Sequence, residues 1–347
     1  MSDIPKYYKT NLIDIENCKK AVNKAKVVTL CHSAGGRPVY MFCYGKQNVF
    51  RRTANLSSAL GGHNKGCFAD KTSMDYIPTL LLVGCVHGGE FEGTAALLNL
   101  INIIETGYDL AKTKFLELKS LCEKVNLLII PCINPDGRSH IPFDSFIGKS
   151  FTELRYYNQG TWADGTLCGW PECKLRHPIK DYVDYLGGYF NDDGINLMHD
   201  DFFGKKADET QALFSVCEQY VPDFTVLLHG GTNTKNCVLG PAYAPAQIKK
   251  RVSQLDELLK SACAEQNLEY YVAHKDSDYG EKKEIPVSFN LPSALTQLCG
   301  EPCVTYESNQ GLTDCPNGKG YSYDEIYSHH LILFKTLIEY LTQKRPV

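Results

Sequence analysis

Residues 79–93 read TLLLVGCVHGGEFEG. Thr79–Val86 is apolar almost throughout, as is Val125–Pro131 (VNLLIIP), the pattern of strands buried on both faces. Both are therefore expected at the centre of a sheet. From Glu92 to Thr106 the pattern becomes helical. Outward from this stretch, apolar runs alternate with longer helix-patterned segments, which is the sign of an α/β chain with helices on both faces of a sheet.

Further strands are expected at Lys26–Cys31, Val39–Tyr44, Thr225–Leu228, Cys237–Leu239, Tyr270–Ala273 and Cys303–Tyr306. Further helices are expected at Leu110–Glu123, Asp208–Tyr220, Pro245–Glu265, Pro292–Leu298 and Tyr323–Gln343. Pro292 suits a first helical turn, with Asn290 as its cap. Between His140 and Asn191 the periodicity disappears, and the segment is rich in Gly, Pro, Tyr and Trp. A long irregular stretch of that kind in a compact domain builds or covers a binding site, so an active-site loop is expected over about 140–191.

His87 and Glu90 leave the strand at its carboxyl end, where open α/β sheets bind ligands. Gly88 and Gly89 let both side chains turn toward one point. Imidazole and carboxylate suit zinc, and a catalytic zinc takes three protein ligands plus water. So short a motif also arises by chance, as a His and a Glu on a surface turn. The segment FTVLLHGGTN, residues 224–233, weighs against chance: His229 also ends an apolar run and also precedes two glycines. Two His and one Glu suit Zn2+ best, with another divalent metal left open.

The blocks HGGE (His87–Glu90), NPDG (Asn134–Gly137), GINLMHD (Gly194–Asp200), LLHGG (Leu227–Gly231) and TYES (Thr305–Ser308) occur in that order. Together they resemble the zinc metallocarboxypeptidase family, the carboxypeptidase A-like enzymes. HSAGGRPVYMFCYG (His32–Gly45) and ADETQAL (Ala207–Leu213) are similar to two further family segments, so the likeness runs from about Val27 to Gly311. It implies one α/β domain across residues 1–347 with a central mixed, twisted β-sheet, and no separate pro-domain is expected from this sequence. Carried over residue by residue, it makes His87, Glu90 and His229 the ligands of one Zn2+ per chain. It makes Glu307 the general base for the attacking water. Zinc lowers the pKa of bound water toward about 7 and polarises a carbonyl, and a free carboxylate then shuttles the proton to the leaving amine. A solvated surface glutamate is the competing reading of Glu307, but its place at the end of CVTYE weighs against that.

The resemblance also calls for an oxyanion-stabilising arginine between NPDG and GINLMHD. Arg176 in GWPECKLRHP fits best, with Arg155 and Lys174 as alternatives. A guanidinium is a fixed, permanently charged fork, which a lysine replaces poorly; each of the three also reads as a solvated surface charge. Tyr279 in DSDYGEKK is the expected mobile tyrosine.

One motif departs from the family. Its Asn-Arg clamp for the substrate carboxylate is replaced by Met198 and His199. Methionine donates no hydrogen bond, and histidine loses its charge near neutral pH. Three readings stand. Lys149, Arg155 or Arg176 supplies the anchor; Asp200 or Asp201 holds His199 protonated; or the substrate has no carboxylate there. Substrate contacts are accordingly expected at Met198, His199, Arg155 and Tyr279. The expected activity is hydrolysis of a C-terminal peptide bond. The alternatives are a zinc amidohydrolase or deacylase acting on N-acyl amino acids or other small amides, and a catalytically inactive metal-binding scaffold.

Composition limits the other classes. The 347 residues are 43% hydrophobic and 22% charged, with a formal net charge of −4, enough for a sizeable core. No basic run is present, which argues against a nucleic-acid partner. No stretch reaches the roughly 18 to 20 apolar residues of a membrane span. The start, MSDIPKYYKTNLIDIENCKK, lacks a secretory pattern, so a cytoplasmic protein is expected. Fifteen scattered cysteines, an odd number, read as free thiols in a reducing compartment. Cys168, Cys173, Cys299, Cys303 and Cys315 fit structural-zinc spacing only loosely, so free thiols are the favoured reading there too.

Overall fold

In a computed structural model, residues 3–273, 288–316 and 318–343 are described. They form nine strands: β1 (Lys26–His32), β2 (Pro38–Tyr44), β3 (Thr79–Gly84), β4 (Asn126–Ile130), β5 (Gly160–Trp162), β6 (Val183–Leu186), β7 (Phe224–Gly230), β8 (Cys237–Leu239) and β9 (Cys303–Ser308). Seven make one mixed sheet in the order β1-β2-β4-β3-β7-β9-β8, and β5 pairs with β6 in a small hairpin. The central four, β4, β3, β7 and β9, run parallel; β1, β2 and β8 are antiparallel to their neighbours.

Every residue of β3, β4 and β7 is buried, as their unbroken apolar runs require. Alternation sends successive side chains to opposite faces. Leu80, Leu82, Leu127, Ile129, Val226 and Leu228 pack in one core with helices Phe91–Thr106, Ala246–Glu265 and Tyr323–Gln343. Leu81, Val83, Leu128, Ile130 and Leu227 pack in the other with Asp208–Tyr220 and Leu291–Cys299. Helices therefore cover both faces, as expected.

At the amino-terminal edge of the parallel strands lies a charged knot. Lys71 Nζ is 3.0 Å from Asp223 and 3.1 Å from Glu301, and Lys65 Nζ is 2.7 Å from Glu301. Arg251 also pairs with Glu301. Asp223 accepts from Tyr76 Oη and from Thr79 N. Burial would push the Glu301 carboxyl up, but Lys71, Lys65 and Arg251 hold it down at about 2.

Three sequence expectations need correction. Tyr270–Ala273 forms no strand among the described residues, only a single bridge from Tyr270 to Asn236. The helix expected over Leu110–Glu123 is confined to Leu116–Cys122. Ahead of it, Asp109 Oδ1 accepts from Thr113 N at 2.7 Å and Lys112 takes a left-handed φ of 71°, closing a turn where helix was expected. The segment 140–191 is not irregular throughout. It holds the helix Phe151–Gln159, started by a Ser150–Glu153 capping box, and the β5–β6 hairpin.

Candidate metal and active site

β3, β7 and β9 are neighbours, and their carboxyl ends place the expected residues side by side. His87 follows β3 after a turn in which Cys85 adopts a left-handed φ of 56°. Glu90 stands at the N-cap position of the helix Phe91–Thr106 without a side-chain capping bond. His229 lies within β7, which runs on to Gly230, two residues beyond the end expected at Leu228. Its register partner on β9 is Glu307. Glycines make the approach possible. A Cβ on Gly88 would sit 1.9 Å from the Gly137 carbonyl carbon of the NPDG turn, and one on Gly231 would sit 2.9 Å from Glu307 Oε2.

The ligand atoms of His87, Glu90 and His229 all lie within 4.8 Å of one another, and all three residues are buried. His87 Nδ1 is 2.8 Å from Glu90 Oε1 and His229 Nδ1 is 2.7 Å from Glu90 Oε2. The second contact is close without hydrogen-bond alignment, so Glu90 Oε2 has no such partner, nor has His229 Nε2. Buried polar atoms left this way need a reason, and lone pairs converging on one point fit a cation. On its other side, His87 Nε2 lies 3.2 Å from Asn196 Oδ1. A proton on Nε2, donated to that amide oxygen, leaves the Nδ1 lone pair facing the centre.

The electrostatics are consistent. Burial would raise Glu90, but His87 and His229 hold it at about 2. His229 is raised, because Glu90 outweighs its burial. Glu307 is pushed up to about 7 by burial, with Glu90 adding to the rise and His229 opposing it. A carboxyl poised there can both take up and return a proton near neutral pH.

The remaining expected residues scatter. Met198 is buried in the core with Leu197 and Leu213. His199 is near the centre, 6.5 Å from the Trp170 ring and with Nδ1 3.3 Å from Ser288 Oγ. It is not held protonated by its acidic neighbours: burial, then Lys174, then His87, push it down to about 3. Asp200 is engaged instead with the backbone N–H groups of Asp201 and Ala207. Arg176 is exposed; its guanidinium contacts Leu175 O and the Tyr182 ring rather than the three ligands. Arg155 is half-buried and lies beside Gly169. Lys149 pairs with Glu153 and lies over the Phe143 ring. Lys174 Nζ lies 3.8 Å over the Trp170 ring. Tyr279 falls outside the described residues.

Sequence reasoning missed Tyr189, whose ring stacks on His87 at 4.1 Å, and Asn196. Asn196 stands within GINLMHD and was findable by that motif. Nothing local distinguishes Tyr189 from the other twenty tyrosines.

Residues 15–161 match the family model Peptidase_M14, described as zinc carboxypeptidase. Over that stretch the chain is similar to zinc carboxypeptidases, and the cluster of His87, Glu90 and His229 could hold one metal ion. The match contains His87 and Glu90; His229 and Glu307 lie beyond it and are joined to them by the geometry above. Solved structures share the fold of this chain. A metallo-carboxypeptidase from Burkholderia cenocepacia aligns with a TM-score of 0.59 at 14% identity, over 95% of this chain and 68% of that one. A metallo-carboxypeptidase from Pseudomonas aeruginosa gives 0.56 at 14%, over 95% and 68%. Carboxypeptidase A from Helicoverpa armigera gives 0.54 at 13%, over 99% and 77%. No curated protein matches the chain. Among the described residues no helix is long and apolar enough to cross a membrane.

Proposed function

We propose that residues 1–347 act as one catalytic unit that hydrolyses an amide bond at or near the C-terminus of a peptide, with His87, Glu90 and His229 holding one Zn2+ and Glu307 as general base. The observation that carries this is the convergence of three buried ligand atoms within 4.8 Å beside a carboxyl on the adjoining strand. Bound zinc supplies Lewis-acid polarisation of the scissile carbonyl and makes water easier to deprotonate. Asn196 orients the His87 ring through Nε2. Glu307, balanced at about 7, accepts a proton from water and passes it to the departing nitrogen. In Glu307→Gln, kcat should fall by about 10³-fold with zinc content unchanged, the size expected for losing a positioned base. Unchanged turnover in that variant would overturn the assignment.

A second reading has its own support. Met198 is committed to the core and His199 is uncharged, so neither offers a clamp for a carboxylate. A small amide without a terminal carboxylate, such as an N-acyl compound, suits that surface. Comparing acetylated dipeptides as free acids and as C-terminal amides separates the two. A preference for acids of about 100-fold, or roughly 2.7 kcal/mol, speaks for a charge-assisted anchor; parity speaks for the small amide. All fifteen cysteines are free thiols, which supports a reducing compartment and hence a cytoplasmic location.

A further inference from the structure

Hydrolysis of an amide puts negative charge on the carbonyl oxygen, and a donor fixed in advance at that place accounts for much of the rate. Sequence reasoning assigned this task to Arg176, which instead lies exposed against Tyr182. Tyr189 is placed quite differently. Its ring stacks on the ligand His87 with an interplanar angle of 26°, and the Trp170 ring meets it edge-on at 5.7 Å.

The backbone around Tyr189 is tied to the ligand loop and to the helix Phe151–Gln159. Gly88 N donates to Gly188 O at 2.6 Å, and Tyr189 N donates to Asn158 O at 2.8 Å. The phenol position is therefore set by the same contacts that set His87. Gln159, at the end of that helix, lies near enough to the phenol to oppose the rise that burial and Glu90 impose on it. The titratable groups that bear on it are Glu90, then Cys173, then Glu307, so it lies close to both carboxylates of the proposed site. Tyr189 also stays partly exposed, unlike the core residue Tyr306.

Resting on the hydrolase reading above, we propose that Tyr189 is a catalytic residue of this chain: its phenol O–H donates a hydrogen bond to the scissile carbonyl oxygen as that oxygen gains charge. A neutral donor in that place discriminates by geometry rather than by charge. It therefore asks less of the substrate's own charge than a guanidinium does.

The test uses zinc-loaded full-length protein, acetylated dipeptides as substrates, and a phosphonate isostere of the best one as a binding probe. Tyr189→Phe keeps the ring packing and removes only the hydroxyl. Expected are unchanged zinc content, a KM within about 3-fold, and a kcat lower by about 10²-fold, as for loss of one oxyanion donor. Phosphonate affinity, measured by calorimetry, should fall by a similar factor, because the analogue resembles the tetrahedral state. If Tyr189→Phe keeps both kcat and phosphonate affinity within about 3-fold while Glu307→Gln abolishes turnover, the role of Tyr189 is wrong and the hydrolase reading stands. If Tyr189→Phe loses zinc, the residue only supports His87, and the proposal fails on that count. If neither variant changes turnover, the hydrolase reading fails and takes this inference with it.

Discussion

The two ends of the parallel strands carry buried charge in opposite ways. At the amino-terminal edge, Asp223 and Glu301 face Lys65, Lys71 and Arg251, and each carboxylate is met by cations or hydrogen-bond donors of the protein itself. At the carboxyl edge, Glu90 and Glu307 face two imidazoles, and Glu90 Oε2 and His229 Nε2 are left without hydrogen-bond partners. Both Glu301 and Glu90 are held at about 2, so pKa alone does not tell the ends apart. What differs is completeness. A charged cluster satisfied from within locks structure, whereas one that leaves ligand atoms converging on a common point is built for something not in the chain.

That contrast can be broken by experiment. The largest effect on folding is expected from Glu301→Gln, which strands Lys65, Lys71 and Arg251 around a neutral group. Denaturant unfolding should show a loss of about 3–5 kcal/mol, the usual cost of breaking a buried ion pair. The folded fraction should keep its zinc and its kcat, and loss of zinc in this variant would dissolve the distinction between the two ends. Glu301 also carries a pH signature. Its folded-state value of about 2 lies below its ordinary 4.5, so its contribution is present above pH 4.5 and is lost as pH falls from there toward 2. Up to roughly 3 kcal/mol of wild-type stability should disappear across that window. Acid unfolding of Glu301→Gln should be correspondingly flatter, and equal slopes would count against the assignment. The smallest effect is expected at the surface, where Lys335 pairs with Glu117 at 2.9 Å. Lys335→Ala should cost less than about 1 kcal/mol, as measured by thermal unfolding.

The sequence made some of this legible and hid the rest for physical reasons. Strands buried on both faces announce themselves as apolar runs, so β3 and β4 and the ligands that follow β3 were readable from Thr79–Glu90 and Val125–Pro131. His229 and Glu307 followed because each also ends such a run. The helix Phe151–Gln159 was obscured because it is short and mostly polar, although Ser150 and Glu153 carried its capping signature. Tyr270–Ala273 looked like a strand by composition, but strand pairing is decided by a distant partner, and only Asn236 meets it. The placing of Arg176 was hidden in the same way. A cation's type and rough spacing do not say whether it faces the cleft or Tyr182. Tyr189 reaches His87 only because the backbones of residues 88, 158 and 188–189 are laced together, and no local pattern records that.

The central claim is that His87, Glu90 and His229 form a metal centre. The most direct test is elemental analysis of wild type and His229→Ala, both purified without a chelating tag. The account predicts about one zinc per chain in wild type and its loss from a variant that remains folded. Wild-type protein that holds no metal after dialysis against zinc would contradict it.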